Sequence, residues 1–457
     1  MLIRFNVGNF LSFKDLQEFS MIKGKSEDKP RRLLHTDKLE LLKFAAVFGA
    51  NASGKSNLIT AFRFAQKAVV TGVPKKGQSL YFRPDESYAG KPSYFEFEIL
   101  LGNTGYAYGF EILLEKSEIL SEWLFRLDPE GSDKALFIRD VVKGAFYTDL
   151  VIASENLRNK FNVYSDDCKQ NSEILFLSEM NRAKGELYKE PSELSVFREV
   201  YRWFSESLSI NYLNRPISDF SYFKDVENKE EVCRVIRSLG TGITGFEEKE
   251  SSLLEMRQQL PKALYKELEE ELDQRIADRA RGKKVSSSMT VRIDDMYYII
   301  SLEEEQIKVS TVVFHHEGDA LFEFHEESEG TRRILDLLEI FFTKEDKVYV
   351  IDEIDRSLHP RLTYKFIQEF LNAALKRNIQ LIITTHESRL LDLGLLRQDE
   401  IWIANKNTAG ETELYSLDEY NLRFDKKVDK AYLEGRYGGI PNFSTVFPAK
   451  EDNHEDS

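Results

Sequence analysis

The sequence predicts an α/β fold that contains a mixed sheet, an antiparallel β region and a helical insertion. Three observations predict it. Residues 44–69 read as a short apolar strand, a loop with two glycines and an amphipathic helix. Residues 94–112 alternate between apolar and polar side chains on both sides of a Gly-Asn pair, as an antiparallel hairpin does. Apolar runs at 348–351 and 379–386 are separated by a helical pattern, which indicates two parallel strands with a crossover helix.

The first of these patterns carries the motif G-x-x-x-x-G-K-[ST], a phosphate-binding loop. Its residues are Gly49, Ala50, Asn51, Ala52, Ser53, Gly54, Lys55 and Ser56, followed by Asn57. The glycines let successive backbone N–H groups point at phosphate oxygens beside a helix N-terminus. In this motif Lys55 reaches the β- and γ-phosphates and the Ser56 hydroxyl binds Mg²⁺. The sequence therefore predicts a P-loop NTPase.

Composition indicates a globular protein of two or three domains. The 457 residues are 42% hydrophobic, and no apolar run reaches the eighteen residues that a membrane span needs. No export signal is visible, and Cys168 and Cys233 lack metal-ligand spacing, so we expect a cytoplasmic protein with no membrane partner. The net charge of −15 argues against nonspecific coating of DNA. Basic stretches at 23–32 and 275–284 are interpreted as solvated loops, with a local basic groove as the alternative.

The chain divides into four predicted segments. Residues 1–150 form the first half of a nucleotide-binding head, with an exposed basic loop at 23–35 and the antiparallel region. Residues 151–285 mix charged and apolar residues at helical spacing and predict a compact helical insertion. Residues 286–410 complete the head, and 411–457 form an extension whose acidic end we expect to be disordered. Further strands are predicted at 2–7, 10–19, 123–126, 289–300, 307–314, 321–324 and 401–417.

Two carboxylates follow the strand pattern at 348–351. Asp352 would lie at the C-terminal end of that strand, where a carboxylate can hold Mg²⁺, and Glu353 would be placed to polarise an attacking water. Solvated acids after an ordinary buried strand are the alternative, and the phosphate loop favours the catalytic interpretation. His386 follows the second buried strand, and we interpret it as a γ-phosphate sensor in preference to a structural histidine.

A second anion site is indicated at Ser328-Glu329-Gly330, before an apolar helix. A Ser-x-Gly sequence at a helix N-terminus offers backbone N–H groups to a phosphate. Arg332 and Arg333 in the first turn oppose the helix dipole, which is tolerable where an anion lies nearby. A simple capping role for Ser328 is the alternative.

These segments together resemble the ABC-type ATPase heads, the branch that contains SMC-like, RecF-like and OLD-like proteins. The resemblance rests on the phosphate loop with Asn57, the Ser-x-Gly signature, Asp352-Glu353, the Ser-Leu-His-Pro sequence at 357–360 and His386. Within this branch the chain looks like the bacterial RloA/AbiL-type ATPases of abortive phage infection, with Septu-type and PARIS-type defence ATPases as relatives. The opening FLSF segment (10–13) and the closing GRYGGIP segment (435–441) add to this likeness.

The resemblance implies a homodimer in which two heads pair head to tail around two ATP molecules, with larger assemblies left open. It assigns the phosphates to residues Gly49 to Asn57 of one subunit and to Ser328 and Gly330 of the other, Mg²⁺ to Ser56 and Asp352, and catalysis to Glu353, His386 and Lys55. The signature lacks the second glycine of transporter ATPases, and no residue is identified for the glutamine loop.

The leading functional hypothesis is an ATP-dependent switch in anti-phage defence that controls a separately encoded effector, such as a nuclease. No convincing Asp-x-Asp strand end follows His386, so we predict no intrinsic nuclease. His315, His316 and His325 alternate with apolar residues and are interpreted as strand and loop residues, with a metal cluster as the alternative. Two other functions stay open: a RecF-like repair ATPase that binds DNA directly, and a scaffold that binds ATP and holds a toxin inactive.

Overall fold

The computed structural model describes most of the chain. The described residues are 1–36, 38–128, 131–211, 221–224, 229–259, 265–266, 268–270, 272–273, 275–276, 288–293, 296–303, 306–318, 320–343, 346–420 and 428–440. The disorder predicted for the acidic end of the chain concerns residues outside these ranges, as does most of the basic stretch at 275–284.

Strands and helices both contribute long parts of the chain. The described strands are β1 (Leu2–Gly8), β2 (Gln17–Ser20), β3 (Leu33–His35), β4 (Glu40–Leu42), β5 (Phe44–Phe48), β6 (Ser93–Leu101), β7 (Thr104–Leu113), β8 (Glu118–Leu127), β9 (Lys134–Asp140), β10 (Ala145–Tyr147), β11 (Leu208–Asn211), β12 (Gly245–Ser251), β13 (Ser288–Ile293), β14 (Met296–Glu303), β15 (Gln306–His315), β16 (Leu321–Glu323), β17 (Val348–Ile351), β18 (Gln380–Thr384), β19 (Ile401–Lys406) and β20 (Thr412–Ser416). The described helices are α1 (Lys55–Thr71), α2 (Glu155–Cys168), α3 (Phe176–Glu179), α4 (Ser195–Arg202), α5 (Lys229–Ser238), α6 (Leu253–Gln259), α7 (Glu329–Leu337), α8 (Glu339–Phe342), α9 (Pro360–Ala374) and α10 (Val428–Leu433).

The chain folds into two compact units. The phosphate-loop unit consists of the described residues of Leu2–Ser205 and Ile382–Ser457, and the central unit consists of those of Glu206–Leu381 together with Met1. The helical insertion predicted at 151–285 is therefore divided between the units, with α2 to α4 in the first and α5 and α6 in the second. It also contains strands β11 and β12, because pairing with distant strands overrides the local helical spacing.

The phosphate-loop unit contains a seven-stranded sheet in the order β10-β9-β8-β7-β6-β1-β2, with antiparallel neighbours. The predicted hairpin is confirmed, because β6 and β7 pair up to Leu101 and Thr104, on either side of the Gly-Asn turn. The strand predicted at 10–19 is shorter than expected. Leu11 takes a left-handed turn conformation, with φ of 50°, and β2 begins only at Gln17.

Helix α1 packs an aromatic face inside this unit. The ring centroid of Phe62 lies 4.0 Å from that of Phe5 and 5.6 Å from that of Phe97. All three side chains are buried. Burial of an aromatic side chain stabilises a fold by about 2–3 kcal/mol, so this packing fixes α1 against the sheet, and with it the loop at the helix N-terminus.

The strand that leads into the phosphate loop pairs with a strand from the far end of the chain. β5 pairs in parallel with β19, from Ala46 and Ile401 to Phe48 and Ile403. β19 and β20 form an antiparallel hairpin, which confirms the strands predicted at 401–417. Because β19 pairs with the last residues of β5, the β19–β20 hairpin lies beside the phosphate loop.

The basic segment at 23–35 is only partly the exposed loop that its composition predicts, because several of its residues are half-buried. Lys29 Nζ donates to the carbonyl oxygens of Leu393 and Leu396, at 2.6 and 3.2 Å, and Arg32 donates to a third carbonyl in the same turn. The buried Arg397 in turn donates to two carbonyl oxygens of the basic segment. Backbone carbonyls away from water need donors, and these cations supply them.

The central unit combines a parallel strand pair with a second antiparallel sheet. β11 pairs in parallel with β17. The other sheet has the order β12-β15-β14-β13, and β16 also pairs with β15. The single strand predicted at 289–300 is two antiparallel strands, β13 and β14, and in the sequence the polar pair Asp294-Asp295 separates them. The strands predicted at 307–314 and 321–324 are confirmed as β15 and β16.

The predicted fold class is confirmed as an α/β P-loop NTPase fold with parallel and antiparallel strand pairs. The phosphate loop follows the apolar strand β5, and Asp352-Glu353 follows the apolar strand β17. Among the described residues, no helix has both the length and the apolar character needed to cross a membrane.

Candidate functional site

The phosphate loop connects β5 to α1, and its two glycines are required by close contacts. A Cβ atom on Gly49 would lie 2.5 Å from the carbonyl oxygen of Ala404. Gly54 has φ of 109°, a conformation that residues with a side chain rarely adopt, and a Cβ atom there would overlap the side chain of Thr412. The loop therefore keeps its path only with glycine at both positions.

Two polar side chains of the loop are buried. Lys55 begins α1, and its Nζ donates to the carbonyl oxygens of Gly49 and Ala50, at 2.7 and 2.9 Å. Ser53 is 2% exposed, and its Oγ has no hydrogen-bond partner among the described residues. Leaving a buried hydroxyl unsatisfied costs about 1–3 kcal/mol, so the loop retains a polar group that a ligand can satisfy.

These features fit the phosphates of a nucleotide. Phosphate oxygens accept hydrogen bonds, and the Ser53 hydroxyl and the Lys55 ammonium are both donors in the same glycine-lined turn. The turn ends at the N-terminus of α1, a favourable place for an anion. Ser56 adds a hydroxyl oxygen, the ligand type that Mg²⁺ prefers.

Sequence reasoning missed two residues that bond to this loop, Ser12 and Thr412. Thr412 Oγ1 lies 2.8 Å from the carbonyl oxygen of Ser53 and 2.7 Å from Ser12 Oγ. Ser12 Oγ accepts a hydrogen bond of 2.6 Å from Asn57 Nδ2. The two residues are 400 positions apart, so no local pattern marks their contact, although Ser12 belongs to the FLSF segment that the resemblance rests on.

The described part of the GRYGGIP segment, residues 435–440, packs on the first glycine of the loop. Gly439 donates its N–H to Asn405 Oδ1 at 3.0 Å, and its carbonyl accepts from Tyr432 Oη at 2.9 Å. A Cβ atom on Gly439 would lie 3.4 Å from Gly49 Cα, and the residue has φ of 66°. This segment therefore belongs to the surroundings of the phosphate loop.

His386 also belongs to the phosphate-loop unit. It follows β18, and the N–H of its neighbour Thr385 donates to the carbonyl oxygen of Val47 in β5 at 3.2 Å. His386 itself is exposed to solvent. The structure thus places His386 near the end of the strand that leads into the phosphate loop.

In the central unit, β17 leads into Asp352 and Glu353 as predicted. Asp352 is buried, and its N–H donates to the carbonyl oxygen of Asn211 at 3.2 Å. Glu353 has φ of 48°, a left-handed conformation, and its carbonyl accepts from the N–H of Arg356 at 3.0 Å. Such a conformation costs a residue with a side chain about 1–2 kcal/mol. Strained residues of this kind cluster at functional sites, which makes this turn a candidate for catalysis.

The Ser-x-Gly segment bonds to the turn that follows Glu353. Ser328 caps α7, because its Oγ accepts from the N–H of Thr331 at 3.1 Å. Ser357 Oγ donates to Glu329 Oε1 at 2.6 Å, and a Cβ atom on Gly330 would lie 2.9 Å from the Ser357 carbonyl oxygen. The capping role left open for Ser328 is therefore observed, and Gly330 has a packing role of its own.

The arginines at the start of α7 were expected to lie near an anion. For Arg333 this anion is the Asp336 carboxylate of the same helix. Arg333 lies 3.6 Å from Asp336 and donates to Asn211 Oδ1 at 3.0 Å. Burial lowers the pKa of Arg333. Asp336 also forms a 2.7 Å ion pair with Arg292. Arg333 therefore gives no separate indication of a bound phosphate.

The three histidines considered as a metal cluster each face a glutamate. His316 Nε2 lies 2.7 Å from Glu327, His315 lies 3.3 Å from Glu247, and His325 lies 3.6 Å from Glu323. In the described ranges, no group of three or more His, Cys, Asp or Glu side chains is arranged to hold a metal ion.

The predicted site residues fall into two sets. The structure brings one set together in the phosphate-loop unit and the other in the central unit. The first set is Gly49, Ala50, Asn51, Ala52, Ser53, Gly54, Lys55, Ser56, Asn57 and His386, and the second is Ser328, Gly330, Asp352 and Glu353.

Comparison with solved structures finds similar chains among SMC heads. One is an SMC head bound to the C-winged helix domain of ScpA, with 12% identity and a TM-score of 0.40, and the match covers 93% of this chain and 98% of that one. The SMC head domain of Thermotoga maritima has 12% identity and a TM-score of 0.38, with 91% and 98% covered. A Pyrococcus furiosus SMC head with an extended coiled coil has 14% identity and a TM-score of 0.34, with 95% and 99% covered.

Comparison with curated proteins finds no match. A protein family does match, over residues 44–145 and 176–392, which together make up well over half of the chain. The matched ranges contain the phosphate loop, the Ser-x-Gly segment, Asp352-Glu353 and His386. The chain belongs to this family, described as "AAA domain, putative AbiEii toxin, Type IV TA system".

Proposed function

We propose that this protein binds and hydrolyses ATP and acts as a nucleotide-dependent switch in bacterial anti-phage defence. The observation that carries the nucleotide part is the phosphate loop, in which buried Lys55 and the unsatisfied Ser53 hydroxyl share one glycine-lined turn. Membership of an AAA-domain family supports the ATPase part.

In this proposal each predicted residue has a chemical role. The Lys55 ammonium binds the β- and γ-phosphate oxygens, and Ser56 and Asp352 hold Mg²⁺ through oxygen atoms. The metal ion, when bound, neutralises charge on the phosphates. The Glu353 carboxylate orients the attacking water and accepts its proton, while His386 donates a hydrogen bond to the γ-phosphate.

The proposed assembly is a homodimer that completes the site. Ser328 and Gly330 of a second copy would approach the γ-phosphate bound at Lys55, as the resemblance to ABC-type heads implies. The start of α7 suits this role, because helix N-termini attract anions. The bond between Ser357 and Glu329 would then link the catalytic turn to the helix that meets the other subunit's nucleotide.

A separately encoded partner protein is part of the proposal. The family description names a putative toxin of a toxin–antitoxin system, and such a system has two components. That description, together with the likeness to RloA/AbiL-type ATPases, supports an ATP-controlled effector partner. It equally supports the second candidate, a scaffold that binds ATP and holds a toxin inactive.

Direct DNA binding of the RecF type gains less support. Lys29 and Arg32, two cations of the basic segment, donate to backbone carbonyls inside their own unit. These two side chains therefore stabilise the fold through hydrogen bonds and contribute little to a basic surface that could bind DNA. DNA or a phage component as the trigger of the switch remains part of the proposal.

ATP turnover by the purified protein, with and without DNA, tests the proposal. Glu353→Gln keeps the shape of the side chain and the same left-handed backbone, and we expect it to lower kcat by about 100-fold or more. Molecular mass measured with ATP should show that this variant accumulates dimers. Glu230→Gln, which changes an exposed carboxylate of the same unit, is the matched control and should hydrolyse ATP normally.

Lys55→Ala removes the proposed phosphate-binding ammonium and should abolish ATP binding, whereas Glu353→Gln should still bind ATP. Wild-type turnover in Glu353→Gln would remove the catalytic role of Glu353. ATP binding without turnover in the wild type would favour the scaffold. Stimulation of turnover by DNA would favour the repair ATPase.

A further inference from the structure

A chain of hydrogen bonds runs across the base of the phosphate loop. Asn57 Nδ2 lies 2.6 Å from Ser12 Oγ, Ser12 Oγ lies 2.7 Å from Thr412 Oγ1, and Thr412 Oγ1 lies 2.8 Å from the carbonyl oxygen of Ser53. The chain starts and ends on the loop segment itself, because Ser53 and Asn57 flank Gly54, Lys55 and Ser56. Its two middle members come from the first and last parts of the phosphate-loop unit.

Thr412 is the hydroxyl donor at the centre of this chain. Its Oγ1 donates toward two acceptors, the Ser53 carbonyl oxygen and Ser12 Oγ, which share its single proton. Ser12 Oγ also accepts from the Asn57 amide through Nδ2. The Ser53 carbonyl and Ser12 therefore both depend on the Thr412 hydroxyl.

The middle of the chain is rigidly held. Ser12 and Thr412 are 5% and 2% exposed, and the N–H of Thr412 donates to the Ser12 carbonyl at 2.8 Å. The Thr412 side chain also fills the space that a Cβ atom on Gly54 would occupy. The β19–β20 hairpin thus contacts both ends of the loop, through the Ala404 carbonyl at Gly49 and through Thr412 at Ser53 and Gly54.

We propose that Thr412 is a positioning residue for nucleotide binding, which holds the Ser53–Asn57 segment in its phosphate-binding conformation through Ser12. The inference rests on the proposed function, because it concerns how the same loop binds ATP. Thr412 acts through the backbone of Ser53, so it affects affinity and leaves the chemical step to Glu353.

The expected effect follows from the bonds that are lost. Thr412→Val keeps the volume that packs on Gly54 and removes both hydroxyl bonds. The Ser53 carbonyl and Ser12 Oγ then both lose the Thr412 donor, and the loop binds phosphate only after it is ordered. We expect ATP and ADP to bind roughly tenfold more weakly. Thr412→Ser keeps the hydroxyl and should restore affinity to within about threefold of the wild type.

Calorimetric titration of the full chain with MgATP and MgADP measures these affinities. The matched control is Thr148→Val, because the Thr148 hydroxyl also has two bonds, to the Leu136 carbonyl at 2.6 Å and from the Leu150 N–H at 3.0 Å. It lies beside β10, in the seven-stranded sheet of the same unit. Thermal unfolding of both valine variants reports any general loss of stability, and only Thr412→Val should change the affinity.

Ser12→Ala breaks the same chain by a smaller change and provides the second test. Because Ser12 and Thr412 belong to one chain, the double variant should lose about as much affinity as either single variant. In turnover assays KM should rise while kcat at saturating ATP stays within about twofold of the wild type.

The outcomes separate this inference from the proposed function. If the wild-type protein binds no nucleotide, the proposed function itself is wrong. Tight binding by the wild type together with unchanged affinity in both Thr412→Val and Ser12→Ala would overturn the positioning role alone. A drop in kcat with unchanged KM would also overturn it.

Discussion

Arg139→Met should destabilise the phosphate-loop unit strongly, because Arg139 ties a loop to the seven-stranded sheet from inside the core. The side chain is fully buried and donates to the carbonyl oxygens of Cys168, Asn171 and Ile174, at 2.8, 3.0 and 3.0 Å. It also forms a 2.8 Å ion pair with the equally buried Glu122. The variant therefore removes these three hydrogen bonds and the ion pair at once.

The magnitude follows from what the variant leaves behind. Glu122 keeps hydrogen bonds from Tyr108 Oη and from the N–H groups of Phe176 and Leu177, at 2.9, 2.6 and 3.0 Å, so it stays folded into the core as an uncompensated charge. Breaking a buried ion pair by removing one partner costs about 3–5 kcal/mol. Burial, with the neighbouring Glu122 carboxylate, also raises the pKa of Tyr108, so Tyr108 remains a neutral donor that supports this charge. We expect a loss of about 4 kcal/mol.

Amide hydrogen exchange across residues 168–177 under native conditions measures the free energy of opening this loop, and urea unfolding measures the whole unit. Arg436→Met is the control, because Arg436 and Glu434 form a 2.8 Å ion pair with both side chains about half exposed, at 54% and 56%. It should change stability by less than about 1 kcal/mol. Equal losses in the two variants, or a loss below about 1 kcal/mol in Arg139→Met, would refute the reasoning. Replacing Glu122 and Arg139 together by methionine should recover part of the loss.

Two further predictions concern other parts of the phosphate-loop unit. Burial raises the pKa of Glu400 to about 7 from its ordinary value of 4.5. Between these two values the native carboxyl keeps its proton while the unfolded one releases it. The free energy of unfolding should therefore fall by up to about 3 kcal/mol as the pH rises from 4.5 to 7. Glu400→Gln mimics the protonated acid and should lack this slope in denaturation at pH 5 and pH 8, and an unchanged slope would assign it to other groups. Gly439→Ala should weaken ATP binding several-fold, because φ of 66° is strained for alanine and the new Cβ would lie 2.8 Å from Ile403 Cγ2 and 3.4 Å from Gly49 Cα. The segment would then have to shift where it packs against the phosphate loop. Gly435→Ala shares the positive φ, with its Cβ directed only at Ile440, and should bind ATP normally, so equal affinities in the two variants would contradict a role for this contact.

Local sequence patterns predicted the parts of the fold that depend on neighbours in the chain. The phosphate loop, helix α1 and the hairpin of β6 and β7 are set by glycine positions, helical spacing and alternation, which are all read within about twenty residues. The strand that leads to Asp352 and the cap at Ser328 were visible for the same reason.

Contacts between distant residues were not predictable from such patterns. Strand β11 follows an apolar helical stretch directly and becomes a strand because it pairs with β17, about 140 residues later. The basic segment at 23–35 was expected in solvent, but its cations meet the carbonyls of the turn at 393–396. The charge pattern shows only that these side chains are polar. Which backbone carbonyls they bind is decided by the folded chain.

The candidate site shows the same division. Lys55 and Glu353 follow from motifs, whereas the positive φ of Glu353 and the bonds of Thr412 depend on the fold. Thr412 sits in an ordinary alternating strand, and nothing in its neighbours distinguishes it from any other threonine.

The hydrogen bond between Thr412 and Ser53 spans 359 positions, which has a consequence during protein synthesis. At roughly 5–20 residues per second, the ribosome needs about 20–70 s to pass from the phosphate loop to the strand that completes it. The delay between synthesis of β5 and synthesis of its parallel partner β19 is about the same. Nascent chains that are halted before β19 should therefore fail to retain a nucleotide analogue that chains extended to residue 440 do retain. Retention by the shorter chains would contradict this. If the longer chains alone retain the analogue, a chain whose translation stops before β20 cannot bind ATP. Such a truncated copy would then be excluded from any assembly that requires bound ATP.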